Sequence, residues 1–275
     1  MPLLPIPDPY SFELSTLRTR AWGPDRANLW HEGGLHRVVR GREVRVEPAP
    51  GGVLVEPLDA TIEPVISHLL GLPFDLDGFR AFVRSETTLA PLAARLAGLR
   101  PMLAPDPFEA LVSSITAQQV SLFAAFAVRN RLIERFGVRA GDAWAFPTRE
   151  RLAAAAPHEL VALGFSGRKA EYVVDLARSP LDLAGLERLP DDEVKAAILA
   201  QRGLGEWTAD WFLARHLARA HAWPAGDLAV RKAVSAFYGS GRDLTTDEVR
   251  AIAPRFHPFE NLTVHYLLAA GQVGP

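Results

Sequence analysis

Apolar and polar residues alternate along the first part of the chain, between Tyr10 and Leu58. The alternation is clearest where Val44 and Val46 stand between charged neighbours, and a period of two is typical of a half-buried antiparallel strand. Glycine and proline clusters divide this part into short runs, so it predicts an antiparallel sheet. The predicted runs are Ser11 to Trp22, Ala27 to Glu32, Leu35 to Arg40, Val44 to Pro48 and Val53 to Leu58.

The apolar positions then take a helical period, which continues almost to the end of the chain. The first predicted helices are Ile62 to Leu72, Gly78 to Ser85 and Leu89 to Leu99. A proline-rich segment, Pro101 to Pro107, predicts a boundary, and a strong helix start follows it at Asp106. The predicted fold class is therefore mostly α, with an N-terminal α+β lobe in which an antiparallel sheet precedes the helical domains.

A glycine turn separates two predicted helices, Asp191 to Gln201 and Glu206 to Leu217. Gly203 and Gly205 are expected to end the first helix, because glycine takes a positive φ without strain. A helix that begins after such a turn points unpaired N–H groups outward, where a phosphate can bind. An ordinary corner between two helices is the alternative interpretation.

A second feature lies 22 positions past Gly205 (227 − 205), where Asp227 follows Gly226. A helix, Leu228 to Phe237, is predicted to begin directly after it. By itself, an aspartate in this position is usually a helix N-cap.

Together, the turn and Asp227 resemble the helix–hairpin–helix (HhH-GPD) DNA glycosylases. That family has an L-P-G-[IV]-G-x-x-T-A hairpin and a catalytic aspartate about twenty residues later, in a Gly/Pro-rich loop. Here Gly203, Gly205, Thr208 and the following alanine match, and Arg202 replaces the usual proline.

The position two residues after the second glycine subdivides this family. Members that also cut the DNA backbone have a lysine there, which forms a Schiff base with the sugar. Here the residue is Trp207, which has no amine, and Trp211 follows four residues later on the same helix face. This pair resembles the 3-methyladenine DNA glycosylase II type. The alternative is that both tryptophans are core residues, and for Trp211 taken alone core packing is the preferred interpretation.

The resemblance implies a role for each matching residue. Asp227 is the expected catalytic carboxylate, which stabilises an oxocarbenium ion or positions or deprotonates the attacking water. The expected base-pocket residues are Trp207, Trp211, Phe259 and Gln118, and the expected DNA-binding residues are Gly203, Gly205, Thr208, Gln119, Arg168 and Lys169. No cofactor is required, but the backbone carbonyls of Leu199, Gln201 and Leu204 are expected to hold a sodium or potassium ion.

Several of these residues have simpler interpretations. Gln118 and Gln119 interrupt an apolar stretch, which also fits a solvated bend; on the family match, Gln119 fills the gap left by a flipped nucleotide. Arg168 and Lys169 stand at a helix start, where cations oppose the helix dipole, so they contact DNA phosphates or are simply solvated. Phe259 lies where the subfamily has a pocket aromatic, and core packing explains it equally well.

The expected domains are residues 1–88 with the sheet, 106–218 with the hairpin, and 89–105 together with 219–275, which carries Asp227. The expected activity is monofunctional removal of alkylated bases (3-methyladenine type) from duplex DNA, by a monomer that flips the base and hydrolyses its N-glycosidic bond without lyase activity. Two alternatives stay open: a non-catalytic DNA-binding or damage-sensing protein, and a glycosylase for deaminated or oxidised bases. The first would not need Asp227 or the tryptophans.

Composition narrows these possibilities further. The chain has no cysteine, which excludes disulfides and the four-cysteine cluster of some family members. The net charge of −2 gives no general support for nucleic-acid binding, so any basic surface must be local. The eight histidines are scattered without catalytic-metal spacing, and neither a leader nor a membrane-spanning run is expected, so the expected location is cytoplasmic, near the nucleoid.

Overall fold

A computed structural model describes residues 1–271, and its N-terminal part contains a five-stranded antiparallel sheet. The strand order is β1-β5-β4-β3-β2, and the side chains of Val44 and Val46 are fully buried, as their alternation predicts. The strands are β1 (Leu3–Pro5), β2 (Leu29–His31), β3 (Gly34–Val39), β4 (Arg42–Ala49) and β5 (Gly52–Glu56). The predicted sheet is thus confirmed.

The first predicted run, Ser11 to Trp22, is wrong as a strand. It forms two short helices, α1 (Phe12–Thr16) and α2 (Arg18–Ala21). The hydroxyl of Ser11 accepts a hydrogen bond from the N–H of Leu14 at 3.2 Å and so caps α1. A short alternating run does not distinguish a strand from a helix. Here the cap at Ser11 favours the helix.

The remaining chain is mostly helical, as predicted, with one small exception. Strands β6 (Val138–Ala140) and β7 (Ala143–Ala145) form a hairpin that the helical pattern did not predict. The helices are α3 (Glu63–Leu69), α4 (Leu76–Val83), α5 (Leu89–Arg95), α6 (Pro107–Ala117), α7 (Leu122–Phe136), α8 (Arg149–Ala153), α9 (Pro157–Val161), α10 (Gly167–Arg178), α11 (Asp191–Leu199), α12 (Glu206–Arg215), α13 (Leu228–Tyr238), α14 (Thr246–Ile252) and α15 (Glu260–Ala270), with 3-10 helices at Ala184–Arg188 and Ala253–Phe256. No helix among residues 1–271 has the length and apolar character to cross a membrane.

Two hydrophobic cores organise the fold. The smaller one lies between the sheet and α3, where Ile62 and Ile66 are fully buried against the strands. The larger one fills the helical body and already includes Phe74 and Phe79 of the α4 region. Helix α4 therefore packs with the helical body, although the predicted first domain includes it; the proposed division into domains otherwise stays a prediction.

A buried group of charged side chains joins the sheet lobe to the helical body. Glu109 of α6 accepts hydrogen bonds from Arg37 of β3 and from Arg129 of α7, the latter at 2.7 Å. Arg129 also pairs with Asp25, which precedes β2. Burial by itself would lower the pKa of Arg129, but the charges of Asp25 and Glu109 raise it above its usual value. All four side chains are less than a tenth exposed.

Candidate active site

Asp227 begins α13 as its N-cap, so the structural role that its position predicts is real. Its Oδ1 accepts hydrogen bonds from the backbone N–H groups of Ala229 at 2.8 Å and Val230 at 3.0 Å. The extended backbone of Asp227 (φ −74°, ψ 131°) is the usual N-cap conformation. This cap fixes the direction of the carboxylate and leaves Oδ2 for other partners.

Both predicted tryptophans bind that second oxygen. The indole Nε1–H of Trp207 donates to Asp227 Oδ2 at 2.6 Å, and that of Trp211 donates to the same atom at 3.0 Å. The two residues are four apart on α12, so they share one helix face, as predicted. Trp211 is 5% exposed and belongs to the core, whereas Trp207 is partly exposed. The carboxylate therefore accepts four N–H groups, more than a simple cap requires.

These contacts determine the charge of Asp227. Burial by itself would raise the pKa of the carboxyl, because it disfavours the ionised form. The hydrogen bonds from Trp207, Val230 and Trp211, with the positive charge of Arg215, outweigh burial and lower the pKa below its usual value. Asp227 is therefore an ionised carboxylate at neutral pH, as either predicted catalytic role requires.

Sequence reasoning missed three residues near this carboxylate. The guanidinium of Arg215 lies 3.6 Å from the ring centroid of Trp211, and His265 of α15 packs its ring edge-on against the same indole. Burial lowers the pKa of Arg215 well below its usual value; Arg18 of α2 lowers it further, and Asp227 partly restores it. The spacing of four residues between Trp211 and Arg215 could have revealed the stacking, but nothing in the sequence places Arg18 here.

The hairpin confirms one predicted glycine role and corrects the other. Gly203 has a φ of +82°, and an added Cβ would lie 2.2 Å from the ring of Tyr172. Gly205 has a φ of −122°, so the expectation of a positive φ there is wrong. Open space surrounds its missing side chain, and this leaves room for a close-approaching partner at the N-terminus of α12. Thr208 is 1% exposed, so its side chain packs inside the protein, and its predicted role in DNA binding stays a prediction.

The two glutamines occupy the break between α6 and α7. Gln118 donates from Nε2 to the carbonyl oxygen of Gly203 at 2.9 Å, which ties this break to the hairpin. Gln119 is exposed and has a φ of +53°, a left-handed conformation that is uncommon for a non-glycine residue. The exposed side chains of Val120 and Phe123 stand beside it. The segment therefore projects from the surface next to the hairpin.

Three other predicted site residues, Lys169, Arg168 and Phe259, lie in different environments. Lys169 donates from Nζ to the carbonyl of Thr116 at 3.0 Å, near the C-terminus of α6, and burial lowers its pKa. Arg168 is exposed at the start of α10. Phe259 packs against the rings of Phe79 and Phe82 of α4, with centroids 5.8 and 5.5 Å apart. These contacts favour the core-packing interpretation of Phe259.

Comparison with known proteins matches the chain to an established family. The family model described as "HhH-GPD superfamily base excision DNA repair protein" matches residues 112–258, more than half of the chain. The chain belongs to the HhH-GPD superfamily. The matched residues include the hairpin, both tryptophans and Asp227. The superfamily that the sequence resemblance predicted is thus confirmed.

Individual relatives support the same family. Escherichia coli "DNA-3-methyladenine glycosylase 2" is 30% identical over 218 residues, which cover 76% of this chain and 74% of that protein. A "3-methyladenine dna-glycosylase from Archaeoglobus fulgidus" has a similar structure over 99% of both chains, with a TM-score of 0.90 and 26% identity. A Schizosaccharomyces pombe 3-methyladenine DNA glycosylase solved with abasic DNA has a TM-score of 0.58 and 25% identity, over 67% of this chain and 91% of that one.

In this HhH-GPD chain, the pKa of Asp227 can be tested through its indole donors. We expect Trp207→Phe to raise that pKa, because the substitution removes one of the hydrogen bonds that favour the ionised carboxylate. Both predicted catalytic roles use the ionised form of Asp227, and its folded pKa is depressed, so the acid limb of base release should move to higher pH. The measurement is single-turnover base release against pH, after subtraction of spontaneous depurination.

Trp223→Phe is the matched control for this substitution. Its indole Nε1 donates to the carbonyl of Val249 at 2.9 Å and not to Asp227. The control also loses an indole hydrogen bond but should leave the acid limb in place. An unchanged limb in Trp207→Phe would contradict the coupling of this indole to Asp227.

Proposed function

We propose that this chain is a monofunctional DNA glycosylase that hydrolyses the N-glycosidic bond of alkylated bases, of the 3-methyladenine type, in duplex DNA. The observation that carries the proposal is the ionised Asp227, held by two α13 amides and two indoles beside the hairpin. The relatives from Escherichia coli and Archaeoglobus fulgidus described above are both named 3-methyladenine glycosylases, which supports this substrate class. Because one chain carries every residue of the proposed site, we place the reaction in a monomer.

The hairpin would bind DNA so that the base can leave the stack. Rotating a base out of a duplex costs a few kcal/mol, which contacts to the backbone must offset. We assign one phosphate to the open N–H groups at Gly205 and the start of α12. Gln119, exposed and left-handed, would fill the gap left by the flipped nucleotide.

Four hydrogen bonds make Asp227 a weak base, and this favours one of its two possible roles. A carboxylate with a lowered pKa takes a proton from water reluctantly, yet keeps its full negative charge. As the glycosidic bond breaks, the sugar becomes positively charged, and a fixed negative charge stabilises it. We therefore assign Asp227 to electrostatic stabilisation of the oxocarbenium ion.

The indoles would contribute differently to the base pocket. One face of Trp211 is taken by the guanidinium of Arg215, and the residue is 5% exposed. Trp207 is partly exposed, so its ring is the one that we expect to contact a flipped base. A cationic alkylated base gains about 1–2 kcal/mol from such a ring.

A monovalent cation at the hairpin fits the donors that the chain offers. Carbonyl oxygens suit hard cations, and α11 ends at Leu199, whose carbonyl accepts no backbone N–H group among residues 1–271. The carbonyl of Gln201 already accepts the N–H of Leu204 at 3.1 Å and retains a second lone pair. We propose the carbonyls of Leu199, Gln201 and Leu204 as its ligands, where a cation would neutralise charge near the bound phosphate.

The proposal of no lyase activity depends on the lysines of the chain, which stand at positions 169, 195 and 232. Lys169 donates to a backbone carbonyl, and Lys195 pairs with Asp210 at 2.6 Å. Lys232 is exposed on α13 and follows Asp227 by more than one helical turn. Trp207, at the family's lysine position, has no amine.

We expect the protein to release free methylated base from duplex DNA and to leave an intact strand that breaks only after alkali treatment. The measurement is single-turnover release from methylated duplex, with products separated before and after alkali. Strand breaks without alkali would contradict the monofunctional proposal, and borohydride trapping with Lys232→Ala would then test that lysine as the Schiff-base residue. DNA binding with no base release would favour the non-catalytic alternative.

One observation favours a second candidate function, removal of neutral deaminated or oxidised bases. The guanidinium of Arg215 lies over the ring of Trp211, whose indole donates to Asp227, so a positive charge lies beside the proposed pocket. A cationic base would be repelled by it, whereas a neutral base would not. Parallel release assays with duplexes that contain hypoxanthine, 8-oxoguanine or 7-methylguanine separate the two candidates.

A further inference from the structure

Two histidines and a glutamate that are far apart in sequence meet on the surface beside the N-terminus of α15. His221 lies in the loop between α12 and α13, and His257 and Glu260 lie on either side of the start of α15. The Nδ1 atom of His221 is 3.7 Å from Glu260 Oε2, and that of His257 is 3.4 Å from Glu260 Oε1. The two imidazole rings are nearly parallel, with centroids 5.1 Å apart.

Glu260 is unusual because its carboxylate is buried. It is only 6% exposed, and its buried Oε2 has no hydrogen-bond partner among the described residues. A buried carboxylate is costly unless it is paired or coordinates a metal. The N-terminus of α15 offers it some positive potential, but its nearest side-chain nitrogens belong to the two histidines.

The spacing of these atoms fits a metal ion. Zn²⁺ binds imidazole nitrogen and carboxylate oxygen at about 2.0–2.2 Å, so tetrahedral geometry places its ligand atoms about 3.3–3.6 Å apart. Each of the three residues offers a ligand atom within 4.8 Å of the other two. The distances from the histidine nitrogens to the two oxygens of the Glu260 carboxylate, 3.7 Å to Oε2 and 3.4 Å to Oε1, are close to the tetrahedral range. We propose that His221, His257 and Glu260 form a site for a divalent Zn²⁺-type ion, with a fourth position open to solvent.

Neighbouring contacts hold the two halves of this site in place. Asn261, fully buried, donates from its amide side chain to the carbonyls of Ala214 and Arg219 at 3.0 and 2.9 Å. Its backbone N–H donates to the carbonyl of Ala220 at 2.9 Å. The loop that carries His221 is thereby fixed to α15 without a metal. The histidines are 57% and 64% exposed, so an ion can enter from solvent.

The ion would join the loop that leads to Asp227 with the helix that carries His265. Its role is therefore structural, and the site is separate from the proposed glycosylase chemistry. An ion that binds only the folded chain stabilises it according to its concentration relative to its dissociation constant. At about 100 times that constant, we expect the melting temperature to rise by roughly 5 °C.

The first test is a calorimetric titration of the purified full chain with zinc sulfate, in the absence of DNA. We expect saturable binding of one ion per chain. His221→Ala and His257→Ala should each weaken it by at least about tenfold, because even residues that only orient metal ligands contribute that much. His158→Ala is the matched control, since His158 is exposed on α9 and belongs to no such group among residues 1–271.

The same variants test the consequence for stability. Zinc should raise the melting temperature of the wild type and of His158→Ala, and it should have little effect on the two site variants. Glu260→Gln should also abolish the response, but the histidine variants carry the test because they alter only exposed side chains. Absence of saturable binding, or binding that persists in both site variants, overturns the proposal whether or not the protein proves to be a glycosylase.

Discussion

Asp227→Asn should reduce single-turnover base release by on the order of 10³-fold, equivalent to about 4 kcal/mol of transition-state stabilisation. The substitution removes the negative charge that we assign to stabilising the sugar cation and leaves a side chain of the same shape. DNA binding should be retained, because the proposed phosphate contacts come from the hairpin. The measurement is base release from methylated duplex, with affinity for the same duplex determined in parallel.

Asp227→Asn should lower the free energy of unfolding by less than it lowers transition-state stabilisation. Asparagine is as good an N-cap as aspartate, but its single oxygen cannot serve both the α13 amides and the two indoles. Leaving donors unsatisfied costs about 1–3 kcal/mol of stability. Rates should therefore be compared at a temperature where both proteins are folded.

Asp106→Asn is the matched control, because Asp106 caps α6 by accepting the N–H of Glu109 at 2.8 Å. It changes a helix cap in the same chemical way at a different helix, and base release should remain near the wild-type rate. If Asp227→Asn released the base at a rate close to that of the wild type, the catalytic assignment of this carboxylate would be wrong.

The site could be predicted where its geometry follows from local spacing. The glycine turn, the N-cap position of Asp227 and the shared face of Trp207 and Trp211 each depend on neighbouring residues along the chain. The structure reproduces all of these. What it adds is direction: both indole N–H groups point to Asp227 Oδ2, and this depends on how α12 and α13 pack.

Contacts between distant segments could not be predicted in this way. Arg18 reaches the neighbourhood of Asp227 from the N-terminal lobe, and Glu260 meets His221 across the loop before α13. No local period connects such positions. Gly205 shows a different kind of error. A glycine in a turn suggested a positive φ, but the backbone of Gly205 is extended, with a negative φ.

The fold was predictable for a similar reason. Period-two alternation in Val44 to Pro48 identified β4, because one face of that strand is buried and the other meets solvent. Ser11 to Trp22 carries an equally short alternating run, and there the Ser11 cap and the burial of Phe12 favour helix. The β6–β7 hairpin has strands of only three residues, too short for any period to be visible.

The largest effect on stability should come from Glu109→Gln, in the group of charges that joins the two lobes. The wild-type group contains two arginines and two carboxylates, so its charges balance. Glutamine leaves Arg37 and Arg129 with Asp25 as the remaining carboxylate, and an uncompensated buried charge costs about 3–5 kcal/mol. Urea unfolding followed by circular dichroism measures this loss.

Glu134→Gln is the control that isolates burial as the cause. Glu134 of α7 pairs with Arg26 at 2.6 Å, so this ion pair also bridges the N-terminal lobe and the helical body, but both side chains are 39% exposed. Solvent screens such a pair, and its loss should cost less than about 1 kcal/mol. Equal losses in the two variants would mean that burial of the charges is not the cause of the loss. A loss confined to Glu109→Gln would instead make the buried charges a main connection between the sheet lobe and the helical body.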